Sequence, residues 1–188
     1  MPFRIYQKFT RSLREDGMLV SSSGFLVRTM LGRIDFSRPL AILEIGSGKG
    51  AFTREIIRRM HPDTQLDVVD TNAAYNAWIE RLIADNPDRT IHLHNTCITA
   101  LLREPDHYDV IVSSLPLKNF ENRYDHNGYL HSVIRALRDA LRVGGLYLQY
   151  QYFLSNKDDI EQIFGKHMDG VDFVPLNILP AFVYRMTK

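Results

Sequence analysis

The sequence predicts a single α/β domain with a mostly parallel seven-stranded sheet. The chain has 188 residues, of which 45% are hydrophobic, and this suffices for one domain with a buried core. From residue 41 onward, short apolar runs alternate with helical patterns, which is typical of parallel strands joined by helices. A glycine-rich turn joins the first of these strands to the first of these helices.

The expected strands are short runs of apolar and β-branched residues. They span Ala41–Ile45, Gln65–Asp70, Thr90–His94, Asp109–Ser113, Leu146–Phe153, Val171–Pro175 and Phe182–Met186. Two helices between them carry apolar residues at helical spacing, which predicts faces that pack on the core. These stripes are Tyr75, Trp78, Ile79, Leu82 and Ile83, and Leu130, Val133, Ile134, Leu137 and Leu141.

Residues 1–16 predict an amphipathic helix that precedes a domain over residues 17–188. On a helical wheel, one side is apolar and the other carries Arg4, Lys8, Arg11 and Arg14. This composition is expected of a helix that lies in an anionic membrane interface, although a helix that simply covers the domain can show the same pattern. We interpret residues 3–14 as a contact with an anionic membrane surface.

Composition limits the cellular compartment and the kinds of binding partner that we expect for this protein. The net charge of +1 does not favour a polyanion as partner of the whole chain. The single cysteine, Cys97, excludes an internal disulfide and a cysteine-cluster metal site, which fits a reducing cytosol. No apolar run is long enough to span a bilayer. We therefore expect a cytoplasmic protein, peripheral at the inner face of the membrane.

The glycine-rich turn predicts a nucleoside cofactor. Gly46, Gly48 and Gly50 allow positive φ and let a ligand approach main-chain N–H groups. The spacing fits NAD as well as S-adenosylmethionine, because G-x-G-x-x-G/A is also a dinucleotide pattern. Glu44 favours S-adenosylmethionine, since a carboxylate suits an ammonium and a sulfonium but repels a pyrophosphate.

Other candidate residues follow the second, third and fourth strands. In an open α/β sheet, ligands bind at the carboxyl ends of the strands. Asp70 ends the second strand, where its carboxylate can accept the ribose hydroxyls. Asn95-Thr96 follows the third strand, and Ser114-Leu115 follows the fourth. The histidines of the chain show no spacing that indicates a metal site.

Several segments together resemble a known enzyme family. Glu44–Gly50 with Asp70 resembles the class I S-adenosylmethionine-dependent methyltransferases. Tyr108–Phe120 is similar to the fourth-strand motif of the bacterial phospholipid N-methyltransferases, whose overall plan is like that of the rRNA adenine dimethyltransferases. The segments Gly17–Leu31, Leu141–Tyr150 and Asn177–Arg185 resemble the first helix, the fifth strand and the final strand of that family.

The resemblance implies a Rossmann-like fold with an antiparallel last strand. It implies transfer of methyl groups from S-adenosylmethionine to the amine of phosphatidylethanolamine, which leaves S-adenosylhomocysteine. A histidine or tyrosine near the amine could take its proton, and Tyr124 and His126 are the candidates. The implied cofactor contacts are Ser22, Ser23, Glu44, Gly46, Ser47, Gly48, Gly50, Asp70, Thr71, Asn95, Thr96, Ser114 and Leu115.

Two other acceptors stay open, RNA adenine and a small-molecule amine. Adenine N6 enzymes commonly carry a polar residue before two prolines and an aromatic residue after them, which grip the flipped base. Ser114–Leu117 offers neither the leading amide or carboxylate nor the aromatic ring, and the chain has no added basic domain. We therefore predict a phospholipid partner and no nucleic acid.

Overall fold

The computed structural model of the protein describes residues 23–102, 104–121, 125–177 and 179–188. The strands within these ranges are β1 (Ala41–Ile45), β2 (Gln65–Val69), β3 (Thr90–His94), β4 (Tyr108–Ser113), β5 (Leu141–Gln151), β6 (Gly170–Val174) and β7 (Ala181–Thr187). The α-helices are α1 (Gly24–Leu31), α2 (Ala51–Arg59), α3 (Asn76–Ala84), α4 (Ile98–Leu101), α5 (Gly128–Ala140) and α6 (Lys157–Phe164). Two short 3₁₀ helices span Ala73–Tyr75 and Leu117–Phe120.

The strands form one sheet in the order β3-β2-β1-β4-β5-β7-β6. Only the pairs that involve β7 are antiparallel, so the expected fold class and the antiparallel last strand are confirmed. The strand order reverses between β1 and β4, which opens a crevice at their carboxyl ends. In sheets of this kind, that crevice is where ligands bind.

The core consists of two apolar layers, one on each face of the sheet. Ile42 on β1 packs with α1 and α2, whereas its neighbour Leu43 packs on the other face with α5. Because both faces are covered, the central strands read as nearly continuous apolar runs. This burial holds the carboxyl ends of the strands in fixed positions relative to one another.

The fifth strand begins earlier than the sequence predicts. β5 starts at Leu141, directly after α5, and it pairs with β4 at Leu141 and again at Leu146. The residues between these pairs form an irregularity that contains Gly144, whose N–H donates to the Lys188 carbonyl at 2.9 Å. The sequence predicts that this strand begins at Leu146, whereas Gly144 and Gly145 belong to a bulge near its start.

The apolar stripe on α3 packs on the core over fewer residues than the sequence predicts. Trp78 on α3 is 45% exposed, and the Lys49 ammonium lies 5.7 Å from the centre of its ring. Of the α3 residues, Ile79 is the one that is fully buried. The helix lies over the β3 side of the sheet, so only a narrow stripe reaches the core, and the prediction that Trp78 is a core residue is wrong.

The predicted amphipathic helix in residues 1–16 lies outside the described residues, as does its proposed membrane contact at residues 3–14. Among the residues that the structure describes, no helix has the length and apolar character needed to cross a membrane.

Candidate active site

The glycine turn after β1 lies against the loop that follows β4. The Gly46 N–H donates to the Val69 carbonyl at 2.8 Å, and the Ser114 N–H donates to the Ile45 carbonyl at 2.8 Å. Gly46 has a φ of 76°, and a Cβ at this position would lie 3.3 Å from the Ser114 Cβ. The turn and the β4 loop can approach this closely only because residue 46 has no side chain.

Glu44 is a fully buried acid at the end of β1. Its exposed fraction is 0%, and neither carboxylate oxygen has a hydrogen-bond partner among the described residues. Burial raises the pKa of Glu44 to about 7; contacts with Thr53 lower it, and the charge of Asp70 raises it further. The Thr53 contacts do not reach hydrogen-bond geometry, so they compensate only a part of the cost of burial.

Two hydroxyl groups near Glu44 are also buried and without partners in the described part of the chain. They belong to Ser47 in the turn and to Thr53 in the first turns of α2. Native proteins leave few buried polar groups unpaired. The buried Glu44 carboxylate therefore fits a ligand that brings hydrogen-bond donors and positive charge to this end of β1.

Asp70 connects the turn to the loop after β2. One carboxylate oxygen accepts from the Gly48 N–H at 2.9 Å, and the other accepts from the Asn72 N–H at 2.9 Å. Asn95, after β3, donates its Nδ2 to the Asp70 carbonyl at 2.8 Å. A carboxylate has further lone pairs, so Asp70 can still accept ribose hydroxyls, and the Asn95 Oδ1 remains an acceptor for an adenine amino group.

Two glutamines on β5, which the sequence reasoning missed, hold the loop after β4. Gln149 is 0% exposed, and its Nε2 donates to the Leu115 carbonyl at 3.0 Å. Gln151 donates to the same carbonyl at 3.4 Å. A signal was present, because these glutamines occupy alternate positions of an otherwise apolar central strand and so share one of its faces.

The remaining predicted residues are placed less centrally or are not described. Ser23 is the N-cap of α1, where its Oγ accepts from the Leu26 N–H at 3.3 Å and its N–H donates to Asn177 Oδ1 at 3.1 Å. Thr71 and His126 are exposed, and Thr96 is half-buried. Ser22 and Tyr124 lie outside the described residues. Their roles stay predictions.

Comparison with known proteins identifies the family. The methyltransferase-domain family matches residues 42–145, which contain the glycine turn, Asp70 and the β4 loop. The chain belongs to this family, and it is a class I S-adenosylmethionine-dependent methyltransferase.

One curated relative and two solved structures show how far the similarity extends. The chain is 24% identical to the ornithine lipid N-methyltransferase of Singulisphaera acidiphila over 97% of this chain and 93% of the relative. The precorrin-6y C5,15-methyltransferase of Geobacter metallireducens matches with a TM-score of 0.67 at 16% identity, covering 87% of this chain and 88% of its own. A Burkholderia thailandensis 1,6-didemethyltoxoflavin-N1-methyltransferase, solved with S-adenosylhomocysteine, matches with a TM-score of 0.69 at 11% identity, covering 98% and 87%. The structural matches support the fold alone.

The residues at the carboxyl edge fit S-adenosylmethionine. When bound, this cofactor supplies a methyl group that its sulfonium has already activated. Glu44 offers a buried negative charge for a cationic ligand, and Asp70 offers acceptors for a ribose. The unpaired carboxylate of Glu44 is the observation that favours a cation over a pyrophosphate.

Replacement of Asp70 by alanine tests the ribose contact. We expect Asp70→Ala to weaken S-adenosylmethionine binding by about 10- to 100-fold, because charge-assisted hydrogen bonds are lost and the Gly48 N–H loses its acceptor. Isothermal titration calorimetry measures the change. Asp172→Ala, which removes an aspartate paired with Arg33 instead, should keep the wild-type affinity. An unaltered affinity in Asp70→Ala would mean that the ribose is held elsewhere.

Proposed function

We propose that the protein transfers methyl groups from S-adenosylmethionine to the amine of phosphatidylethanolamine and its methylated derivatives, towards phosphatidylcholine, at a membrane surface. The observation that carries the proposal is the similarity over nearly the whole chain to an enzyme named as a lipid N-methyltransferase. The acceptor of that relative is an ornithine lipid, so a lipid amine is the chemistry that the two assignments share.

An apolar rim beside the β4 loop supports a lipid acceptor. Phe153 and Leu154 follow β5 and are 40% and 60% exposed, respectively. The Lys118 ammonium, on the loop after β4, lies 5.8 Å from the centre of the Phe153 ring. Apolar side chains next to a cation suit an interface in which acyl chains lie beneath anionic headgroups. The contact of residues 3–14 with the same surface remains part of the proposal.

The chemistry requires a neutral amine in line with the donor. An ammonium nitrogen has no lone pair, so a proton leaves the amine before a nitrogen–carbon bond forms and the carbon–sulfur bond breaks. The chain contributes by holding the reacting atoms about 3–3.5 Å apart and in line. His126 and Tyr124 are our candidates for the group that takes the proton, because both follow the β4 loop in the sequence.

Radiolabelled methyl transfer tests the function. The full chain is incubated with S-adenosylmethionine that carries a labelled methyl group and with vesicles of phosphatidylethanolamine and phosphatidylglycerol. We expect label in the lipid fraction, and less transfer when the anionic lipid is replaced by a neutral one. Parallel reactions offer ornithine lipid, RNA and free phosphoethanolamine. Label in RNA alone, or in phosphoethanolamine alone, would overturn the proposal.

A further inference from the structure

A second group of unpaired polar atoms lies where β5 leads into α6. Asn156 is 8% exposed, and its Oδ1 has no hydrogen-bond partner in the described ranges. The hydroxyl oxygen of Ser155 is also buried and unpaired there. Because buried polar atoms in native proteins are almost always hydrogen bonded, two unpaired oxygens on consecutive residues indicate a ligand that supplies donors.

The orientation of Asn156 leaves its carbonyl oxygen unpaired. Its Nδ2 donates to Glu121 Oε1 at 3.0 Å, so the amide plane is fixed by a carboxylate at the end of the β4 loop. Asn156 also has a φ of 61° in the left-handed region, which asparagine adopts more readily than most residues. The side chain is thus held with a carbonyl oxygen available, and a ligand with N–H groups is its natural complement.

The same loop connects this pair to the glycine turn. The loop after β4 begins at Ser114, beside Gly46, and its Leu115 carbonyl is held by the glutamines of β5. At its other end, Glu121 contacts Asn156. Ser155 is held in turn by β7, since the Tyr184 hydroxyl donates to its carbonyl at 3.0 Å. The two unpaired oxygens therefore lie at one end of the loop whose other end borders the cofactor turn.

The surroundings of the pair match an amphiphile with an amine head. Phe153 and Leu154, the exposed residues of the apolar rim, immediately precede Ser155. Acceptor oxygens thus lie inside, and apolar side chains lie at the surface. The neutral primary amine of the first methyl transfer has two N–H groups for two acceptor oxygens when its nitrogen lone pair is left for the methyl carbon.

We propose that Asn156 Oδ1 and Ser155 Oγ bind the acceptor amine of the lipid headgroup and that Glu121 positions Asn156. The assignment rests on the proposed function, because it takes a lipid amine as the acceptor. Asn156 and Ser155 touch the substrate, whereas Glu121 acts through Asn156. The subsite sets the direction of the lone pair, and the rim holds the chain of the lipid that carries the amine.

Kinetics with phosphatidylethanolamine vesicles test the subsite in the full chain. We expect Asn156→Gly to raise KM for the lipid about tenfold and Ser155→Ala to raise it about threefold, as the loss of one hydrogen bond each would do. Glycine suits the left-handed backbone at position 156, so this variant keeps the local conformation. The calorimetric affinity for S-adenosylmethionine should stay within about twofold of wild type, since neither change touches the glycine turn.

Two further variants separate binding from structure. Asp106 also has a positive φ, 52°, and it precedes β4 at the opposite end of that strand from the β4 loop, so Asp106→Gly is a control that should leave KM for the lipid unchanged. Glu121→Ala should raise that KM, whereas Glu121→Gln should restore it because the amide Oε1 still accepts from Asn156. A KM that is unchanged in both Asn156→Gly and Ser155→Ala would overturn the subsite while wild type still methylates lipid. If wild type methylates no lipid, the proposed function itself has failed.

Binding without turnover gives an independent measure. In the presence of S-adenosylhomocysteine, lysophosphatidylethanolamine titrated into wild type should bind more tightly than into Asn156→Gly. Choline-headed lysolipid, whose nitrogen has no N–H group, should bind both proteins equally. Equal loss of affinity for both lysolipids in the variant would show that residue 156 acts only on the apolar rim, and this would also overturn the proposal.

Discussion

S-adenosylmethionine should bind about tenfold more weakly at pH 6 than at pH 8, because the contact that we propose between Glu44 and this cation requires an ionised carboxyl. Burial raises the pKa of Glu44 to about 7 in the ligand-free protein. A cationic ligand restores a partner to this carboxylate, so the complex favours the charged form and binding releases a proton as the pH falls below 7. Calorimetry in buffers of different ionisation enthalpy measures both the affinity and the proton.

The variant Glu44→Gln should lose affinity by about 100-fold and should bind with little dependence on pH, since the buried charge is gone. Asp67→Asn serves as the control, because Asp67 also carries a buried carboxyl group, 5% exposed, but is paired with His94 and Tyr108. Its pH dependence of binding should match wild type. A Glu44→Gln protein with wild-type affinity at pH 8 would refute the role of the charge.

The same carboxyl should make the ligand-free protein less stable at neutral pH. The pKa of Glu44 in the folded protein, about 7, lies above the usual value of 4.5. The contribution of this carboxyl to the free energy of unfolding is therefore fully present below pH 4.5 and is lost as the pH rises through 7. The loss amounts to about 3 kcal/mol in the free energy of unfolding. Glu44→Gln should therefore be more stable than wild type at pH 8 without ligand, although it binds poorly.

Replacement of Gly50 by alanine should destabilise the domain by about 2 to 3 kcal/mol and reduce methyl transfer. Gly50 has a φ of 79°, and a Cβ there would lie 2.8 Å from Leu82 Cδ1 and 3.1 Å from Ile79 Cδ1. The substitution thus combines an unfavourable backbone with a clash between the turn and α3. Urea unfolding measures the free energy, and the vesicle assay measures the transfer.

Gly144→Ala is the matched control for this substitution. Its φ of 78° is nearly the same, but a Cβ at residue 144 would meet no atom within 4 Å. Only the backbone cost applies, so we expect a loss of about 1 kcal/mol and nearly normal methyl transfer. Equal destabilisation by the two variants would show that the packing of α3 on Gly50 does not contribute.

The periodicity of the sequence was sufficient for the layers and strands of the fold. Apolar runs such as Ala41–Ile45 coincide with strands because burial on both faces requires continuous apolar residues. The bulge near Gly144 and the exposure of Trp78 were not predictable in this way. Both depend on what a neighbouring element covers, and a local pattern carries no information about that.

Residues of the candidate site were predictable where a short sequence motif by itself indicates the chemistry. Glu44 and Gly46 were identified because charge and glycine spacing act locally. Gln149 and Asn156 were missed because their importance arises from contacts with Leu115 and Glu121, more than 30 residues away in the chain. The partners of a buried polar group in a strand or loop become visible only once the sheet is assembled.

The two hydrogen bonds that β5 donates to the Leu115 carbonyl restrain the β4 loop. The Nε2 groups of Gln149 and Gln151 both donate to this carbonyl. If the carbonyl moved away, these N–H groups would lose a hydrogen-bond acceptor. Moving the first part of the β4 loop would therefore cost two hydrogen bonds to β5.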